Sequence, residues 1–211
     1  MTTPFTHDLG YRHIEIHPLS GAIGAEIHGV DIANGLSTAV FEEVQRAFSD
    51  FAVIFFRDQN LSPEQHIDFA RRWGKINVNR FFKPVPSYPL IAEVRKEPDQ
   101  TSNIGRLWHT DHSYDQIPAT GSILYARELP DSGGDTVFAS MYAAYDRLSE
   151  GLKQMLCGHV HGHSSAWHAW EPASPAHIHI PTWGCTWGCT SVGTARGEGH
   201  LGLHRMNCVP Y

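Results

Sequence analysis

Ala52-Val53-Ile54-Phe55-Phe56, then Arg57-Asp58-Gln59-Asn60-Leu61, then Ser62-Pro63-Glu64-Gln65, is the stretch from which the architecture is read. The first five residues are a continuous β-prone apolar run, suited to a strand covered on both faces. The last four hold an N-cap serine, a proline at the first helical position and a glutamine placed to close a capping box. The helix that follows would present Ile67, Phe69, Ala70 and Trp73, with Gly74 placed to end it. Upstream, Ser37 reads as the N-cap of a helix with Val40, Phe41, Val44, Ala47, Phe48 and Phe51 on one face. Before it, residues 23–30 alternate loosely and predict a strand closed by Asp31. Downstream, strands are predicted over 90–94, 122–127 and 135–139. One further helix is predicted from Ser140, with Tyr145, Leu148, Leu152 and Met155 at core spacing. Beyond Leu156 no sustained period of either kind is found. The pattern up to that point is that of an α/β or α+β domain.

The 211 residues are 41% apolar and 11% aromatic, which excludes a disordered chain and suits one domain with a sizeable core. A net charge of −6 argues against bulk nucleic-acid binding. The longest apolar run, Phe51 to Phe56, is too short to cross a bilayer, and the start lacks the basic and apolar regions of a secretory signal. The expectation is a cytoplasmic protein with neither nucleic-acid nor membrane partners. The composition changes at Cys157. Residues 158–211 hold eight of the fifteen histidines, four of the six tryptophans and three of the four cysteines, but only four charged residues. Two parts are therefore distinguished, 1–157 and 158–211.

The chemistry is concentrated in Leu107-Trp108-His109-Thr110-Asp111-His112-Ser113-Tyr114. On a strand, residues i and i+2 point to the same side, so the His109 imidazole and the Asp111 carboxylate can share a cation. One imidazole and one carboxylate with open positions suit Fe(II) in a two-histidine, one-carboxylate arrangement. The plainer alternative is a histidine hydrogen-bonded to a neighbouring carboxylate. His112 would face the other way.

Several segments resemble, in order, the taurine dioxygenase and 2,4-dichlorophenoxyacetate dioxygenase (TauD/TfdA) family of Fe(II)- and 2-oxoglutarate-dependent oxygenases. They are Gly24–Asp31, Val53–Gln59 with Leu61-Ser62-Pro63, Trp108–Asp111 with Ser113-Tyr114 and Pro118, Leu129-Pro130 with Gly133–Thr136 and Phe138-Ala139, and Ala143–Ser149. The resemblance covers roughly residues 16 to 157. It implies an α+β fold with a mainly β core: a double-stranded β-helix of the jelly-roll, clavaminate-synthase-like kind, with flanking helices and the metal at its mouth. It implies His109 and Asp111 as two of three protein ligands to Fe(II), and Thr136 as a hydrogen-bond partner of 2-oxoglutarate. The reaction implied is hydroxylation of a substrate C–H with O2, as 2-oxoglutarate becomes succinate and CO2. For Thr136 the alternative is an ordinary strand threonine. Gly133-Gly134 needs to be no more than a tight turn, because no Gly-Lys-Ser/Thr follows it.

The family's third ligand is a histidine roughly 130 to 160 residues after the first motif, followed by an arginine for the distal carboxylate of 2-oxoglutarate. This chain ends 102 residues after His109, and neither residue has a motif-matched position. The barrel is thus expected to be incomplete at its C-terminus, with an open sheet edge and impaired catalysis. The tail offers His159, His161 and His163, His177 and His179, His200 and His204, and Cys185 and Cys189 as substitute ligands. Three readings of residues 158–211 stand: out-of-frame translation, a divergent tail, and a metal-binding tail, the last extending to a zinc hydrolase built on the same histidines.

Substrate residues follow from the same resemblance. Lys75 to Lys83 lacks the histidines that taurine-specific relatives carry there, which argues against taurine itself. Asn79, Phe82 and Arg80 would line the pocket, and Arg80 with Lys83 would pair with a small anionic substrate, an organic acid, sulfonate or sulfate ester. A solvated basic edge is the alternative. A homo-oligomer is compatible with the sequence, which does not fix the oligomeric state.

Overall fold

The computed structural model describes residues 9–78, 81–97, 99–101, 108–111, 115, 117, 119–131, 136–157, 190–192 and 201–205, the last two segments mainly through their backbone. The decisive stretch forms a strand and a helix as its pattern requires. β3 (Val53–Phe56) has Val53, Ile54 and Phe56 buried. α2 (Pro63–Arg71) opens with a reciprocal capping box: Gln65 N–H donates to Ser62 Oγ at 3.2 Å, and Ser62 N–H donates to Gln65 Oε1 at 2.7 Å. Two of the helix's orphan donors are thereby satisfied.

Upstream, α1 (Thr38–Phe51) is capped by Ser37, whose hydroxyl accepts from Val40 N–H, and it buries Phe41, Val44, Ala47 and Phe48. The i, i+3, i+6, i+7 spacing of those four makes one stripe. Ala52 ends the helix in the left-handed region with φ 60°, and its N–H donates to Phe48 O. One residue thus turns the chain from helix to strand. β2 (Ala25–His28) precedes α1 and pairs parallel with β3, so β2–α1–β3 is a crossover unit. β1 (Glu15–Pro18) pairs antiparallel with β2 on the outside.

β4 (Pro84–Val85) and β5 (Tyr88–Ala92) form a two-stranded ribbon. β6 (Gly121–Tyr125) and β7 (Val137–Ala139) correspond to predicted strands. The helix expected from Ser140 is two short ones, α3 (Met141–Asp146) and α4 (Glu150–Leu156). Ser149 breaks the run, because its side chain accepts from Leu152 N–H and starts a second helix. Neither short helix contains a buried residue, so the spacing of Tyr145, Leu148, Leu152 and Met155 does not place them in the core.

Two strands lie where the sequence showed no period. β8 (Thr190–Val192) pairs antiparallel with β7, and β9 (Leu201–Arg205) enters the main sheet. That sheet has the order β1-β2-β3-β9-β6, with β9 antiparallel to both neighbours. Leu201 is fully buried and joins a core of Ile14, Ala25, Ile27, Ile32, Phe41, Val44, Ala47, Phe48, Ile54, Phe56, Leu61 and Phe69. Five residues with a glycine among them are too few to show a period, and their place depends on β3 and β6, partners from far back in the chain.

The loop between β3 and α2 is held by side chains rather than by sheet. Buried Gln59 accepts from Ile32 N–H at 3.0 Å and donates to Val30 O at 3.0 Å and Arg57 O at 2.9 Å. The Tyr125 hydroxyl donates to Gln59 O at 2.9 Å and accepts from Leu61 N–H at 3.1 Å. This network ties β6 to the start of α2 and fixes the edge of the sheet nearest in sequence to the His109 segment. Among the described residues no helix is long and apolar enough to cross a membrane.

Candidate metal centre

His109 and Asp111 sit in a loop rather than on the expected strand: among residues 108–111 only Thr110 makes a bridge, and the chain bends at Asp111. Both side chains are about two-thirds buried, and His109 Nε2 lies 3.2 Å from Asp111 Oδ1. The two groups thus meet across a bend rather than by strand alternation. A cation about 2.1 Å from each atom would see them about 100° apart, suitable for adjacent positions around a metal. The same separation also suits a hydrogen bond between them. A donor set of one imidazole nitrogen and one carboxylate oxygen fits Fe(II), Mn(II) or Zn(II) and is not specific to one of them.

The remaining predicted residues are distributed as follows. Thr136 is half-buried at the entrance to β7, and Phe82 is half-buried two residues before β4. Asn79 and Arg80 lie outside the described residues, as do His159, His161, His163, His177, His179, Cys185, Cys189 and His200. His204 is on β9, in register with Val53 on one side and Ser122 on the other. Among the described residues no group of three or more His, Cys, Asp or Glu is placed to hold an ion. The structure therefore brings together His109 and Asp111 and adds no third donor from the described part.

One histidine that the sequence did not single out packs against β6. His66, on α2, is half-buried and 6.0 Å ring to ring from Tyr125 of β6. Burial lowers its pKa below the usual histidine value, a hydrogen bond to the Ile123 backbone works against that, and the nearby Arg127 charge lowers it further. Its position on the inward side of α2, one turn from Phe69, was the available signal.

The family model for the taurine catabolism dioxygenase TauD, TfdA family matches residues 15–188. The chain belongs to this family. The match runs past Cys157, where the composition changes. Among curated TauD/TfdA relatives, the chain is 36% identical over 146 residues to the (S)-phenoxypropionate/alpha-ketoglutarate-dioxygenase of Sphingobium herbicidovorans, covering 66% of this chain and 49% of that one. It is 34% identical over 143 residues to the alpha-ketoglutarate-dependent sulfate ester dioxygenase of Pseudomonas putida, covering 67% and 46%. The chain spans about half the length of the curated relatives it matches. Among solved structures, AAD-2 in complex with Mn(II) and N-oxalylglycine superposes with a TM-score of 0.59 at 31% identity, covering 74% of this chain and 54% of that one. A taurine dioxygenase from Burkholderia xenovorans superposes with a TM-score of 0.70 at 22% identity, covering 95% and 85%, and shows the shared fold. The two curated relatives are named as alpha-ketoglutarate-dependent dioxygenases, and the family expected from residues 16–157 agrees with the match.

Proposed function

We propose that this TauD/TfdA-family chain serves Fe(II)- and 2-oxoglutarate-dependent hydroxylation of a C–H bond in a small anionic compound. The observation that carries the reading is the His109–Asp111 pair, 3.2 Å apart within the family match. In the full reaction Fe(II) would supply the oxidising chemistry with O2, as 2-oxoglutarate is converted to succinate and CO2. The chain's own part is to bind and orient. His109, neutral at its ligating nitrogen, and Asp111, ionised, would hold two adjacent positions on the metal. The Thr136 hydroxyl would donate to a carboxylate oxygen of 2-oxoglutarate. Phe82 would give the substrate pocket an apolar wall, with Asn79 beside it. Arg80 would offer a charge-assisted partner for the anionic head group.

The substrate class follows from what the relatives named above act on, a phenoxypropionate and a sulfate ester, together with a sulfonate dioxygenase of Saccharomyces cerevisiae at 30% identity. An anionic head on a small organic body is common to them. The family's jelly-roll barrel is the architecture this reading assumes around the pair. Residues 158–211 enter it as an atypical continuation of the domain.

Purified chain given Fe(II), ascorbate and 2-oxoglutarate is expected to release succinate slowly even without substrate. The rate is expected to fall by at least tenfold, about 1.4 kcal/mol in barrier, in His109→Ala and Asp111→Ala. Succinate release no faster than that of the His109→Ala chain would overturn the proposal and leave a non-catalytic relative.

A further inference from the structure

The outer face of the β1–β2 hairpin carries a second group of imidazoles and carboxylates, on elements separate from residues 108–111. Antiparallel register sets Glu15 opposite His28 and His17 opposite Glu26. Side chains alternate along each strand, so these four share the outward face while Ile16 and Ile27 turn to the core. His17 Nε2 lies 2.6 Å from Glu15 Oε1, and His28 Nε2 lies 3.0 Å from Glu26 Oε1. Arg57 Nε donates to the same Glu26 oxygen at 2.8 Å and holds that carboxylate in place. The two imidazoles stand 4.4 Å apart, centroid to centroid, with their planes tilted by 43°. They are 51% and 44% exposed.

An ionised carboxylate only accepts hydrogen bonds, so the His17–Glu15 contact places a proton on Nε2 of His17, and the neutral imidazole then keeps its lone pair on Nδ1. The Glu26 carboxylate beside His28 Nε2 favours the same tautomer there. A histidine that donates one ring N–H to a carboxylate and offers its other nitrogen is in the usual state for binding a metal. Two histidines, each with Nε2 beside a carboxylate, lie side by side here on adjacent strands of one sheet. The geometry points to a two-histidine seat for a divalent late transition ion, ligated by Nδ1 of His17 and Nδ1 of His28, with water completing the shell.

The chemistry of the patch agrees with that occupant. Imidazole suits Cu(II), Ni(II) and Zn(II) better than it suits Mg(II) or Ca(II). Glu15 and Glu26, offset by Arg57, leave one net negative charge on the face when both imidazoles are neutral, which favours a dication. Two protein donors suffice, in keeping with the absence of any three-donor cluster among the described residues. Both His–Glu contacts run within a single strand. A shared ion would therefore be a side-chain link across the strands, pinning the four-residue edge strand β1 to β2.

The site is separate from the His109 pair and is tested separately. Ni(II), which is paramagnetic, is titrated into the full chain below one equivalent while amide resonances are followed. The Ile16 and Ile27 amides are expected to broaden, and His17→Ala and His28→Ala are each expected to abolish that broadening with unchanged far-UV circular dichroism. Glu15→Gln, which keeps an acceptor but loses the charge, is expected to weaken binding about tenfold. The His109→Ala/Asp111→Ala double variant should leave the broadening intact. Sharp Ile16 and Ile27 amides with broadening elsewhere, or broadening that survives both single histidine variants, would overturn the site.

Discussion

α1 and α4 begin in the same way and end in different surroundings. Ser37 caps the first by accepting from Val40 N–H, and Ser149 caps the second by accepting from Leu152 N–H. Yet α1 buries four side chains and α4 buries none, with Leu152 and Met155 44% and 56% exposed. A cap is a contact over three residues, so the local sequence is enough to make it. Burial needs an opposing surface, and α1 has one because β2 and β3 are its immediate neighbours in the chain. The contrast extends to the two halves of the described fold. Every buried apolar side chain described lies between Ile14 and Phe69 except Leu201, whereas Trp108, Leu124, Val137 and Tyr142 are exposed. The first half thus carries its own core, and the half bearing the candidate metal pair leans on it through β9, Tyr125 and Gln59.

Large-to-small substitutions measure that contrast directly. Phe56 is fully buried and meets Phe69 edge to face, so Phe56→Ala should cost about 3–5 kcal/mol in urea unfolding. Leu152→Ala should cost no more than about 0.5 kcal/mol. Equal losses would break the comparison. Leu201→Ala asks whether β9 belongs with the first half. Its side chain is fully buried, and truncation is expected to cost about 2–4 kcal/mol. A loss as small as that at Leu152 would remove β9 from the core.

His66 sharpens the joint between the halves through pH. Its folded pKa is lowered, chiefly by burial, so as pH falls below about 6.5 the unfolded chain takes up a proton that the folded chain refuses. Stability contributed this way is intact above that pH and declines as pH drops towards the folded pKa. The decline cannot exceed about 1.4 kcal/mol per pH unit from this one proton. His66→Gln, which keeps a donor for the Ile123 backbone, should flatten the dependence of the urea midpoint on pH between about 7 and 5. An unchanged slope would exclude His66 as its source.

The smallest expected effect is a gain. Ala52 holds φ 60° at the end of α1, where a Cβ is unfavourable by about 1–2 kcal/mol, partly offset by glycine's greater freedom in the unfolded chain. Ala52→Gly should raise stability by about 0.5–1 kcal/mol in the same urea assay. A loss would show that the left-handed turn is not strained there.

The parts that were legible in advance share one property. β3, α1, α2 and the Ser37 and Ser62 caps are written in residues within a few positions of one another, and His109 and Asp111 are only two positions apart. The division of the third predicted helix was less legible, because Ser149 can sit in a helix or start one, and the choice depends on what packs beside it. β9 was not legible at all. Leu201-Gly202-Leu203 reads as a weak alternation until Val53–Phe56 and Gly121–Tyr125 stand on either side of it.

By itself the sequence determined the strand, helix, strand order of β2, α1 and β3, the capped helix after it and the family to which the chain belongs, and it singled out His109 and Asp111 as neighbours. Each of these rests on contacts between near neighbours in the chain or on motifs of a few residues. Only the tertiary structure decided that Leu201 completes the core, that Tyr125 and Gln59 join the two halves, and that His17 and His28 stand side by side. Those facts depend on the register between strands and on segments brought together from far apart. A short stretch of chain does not encode its distant partner; the packed sheet does.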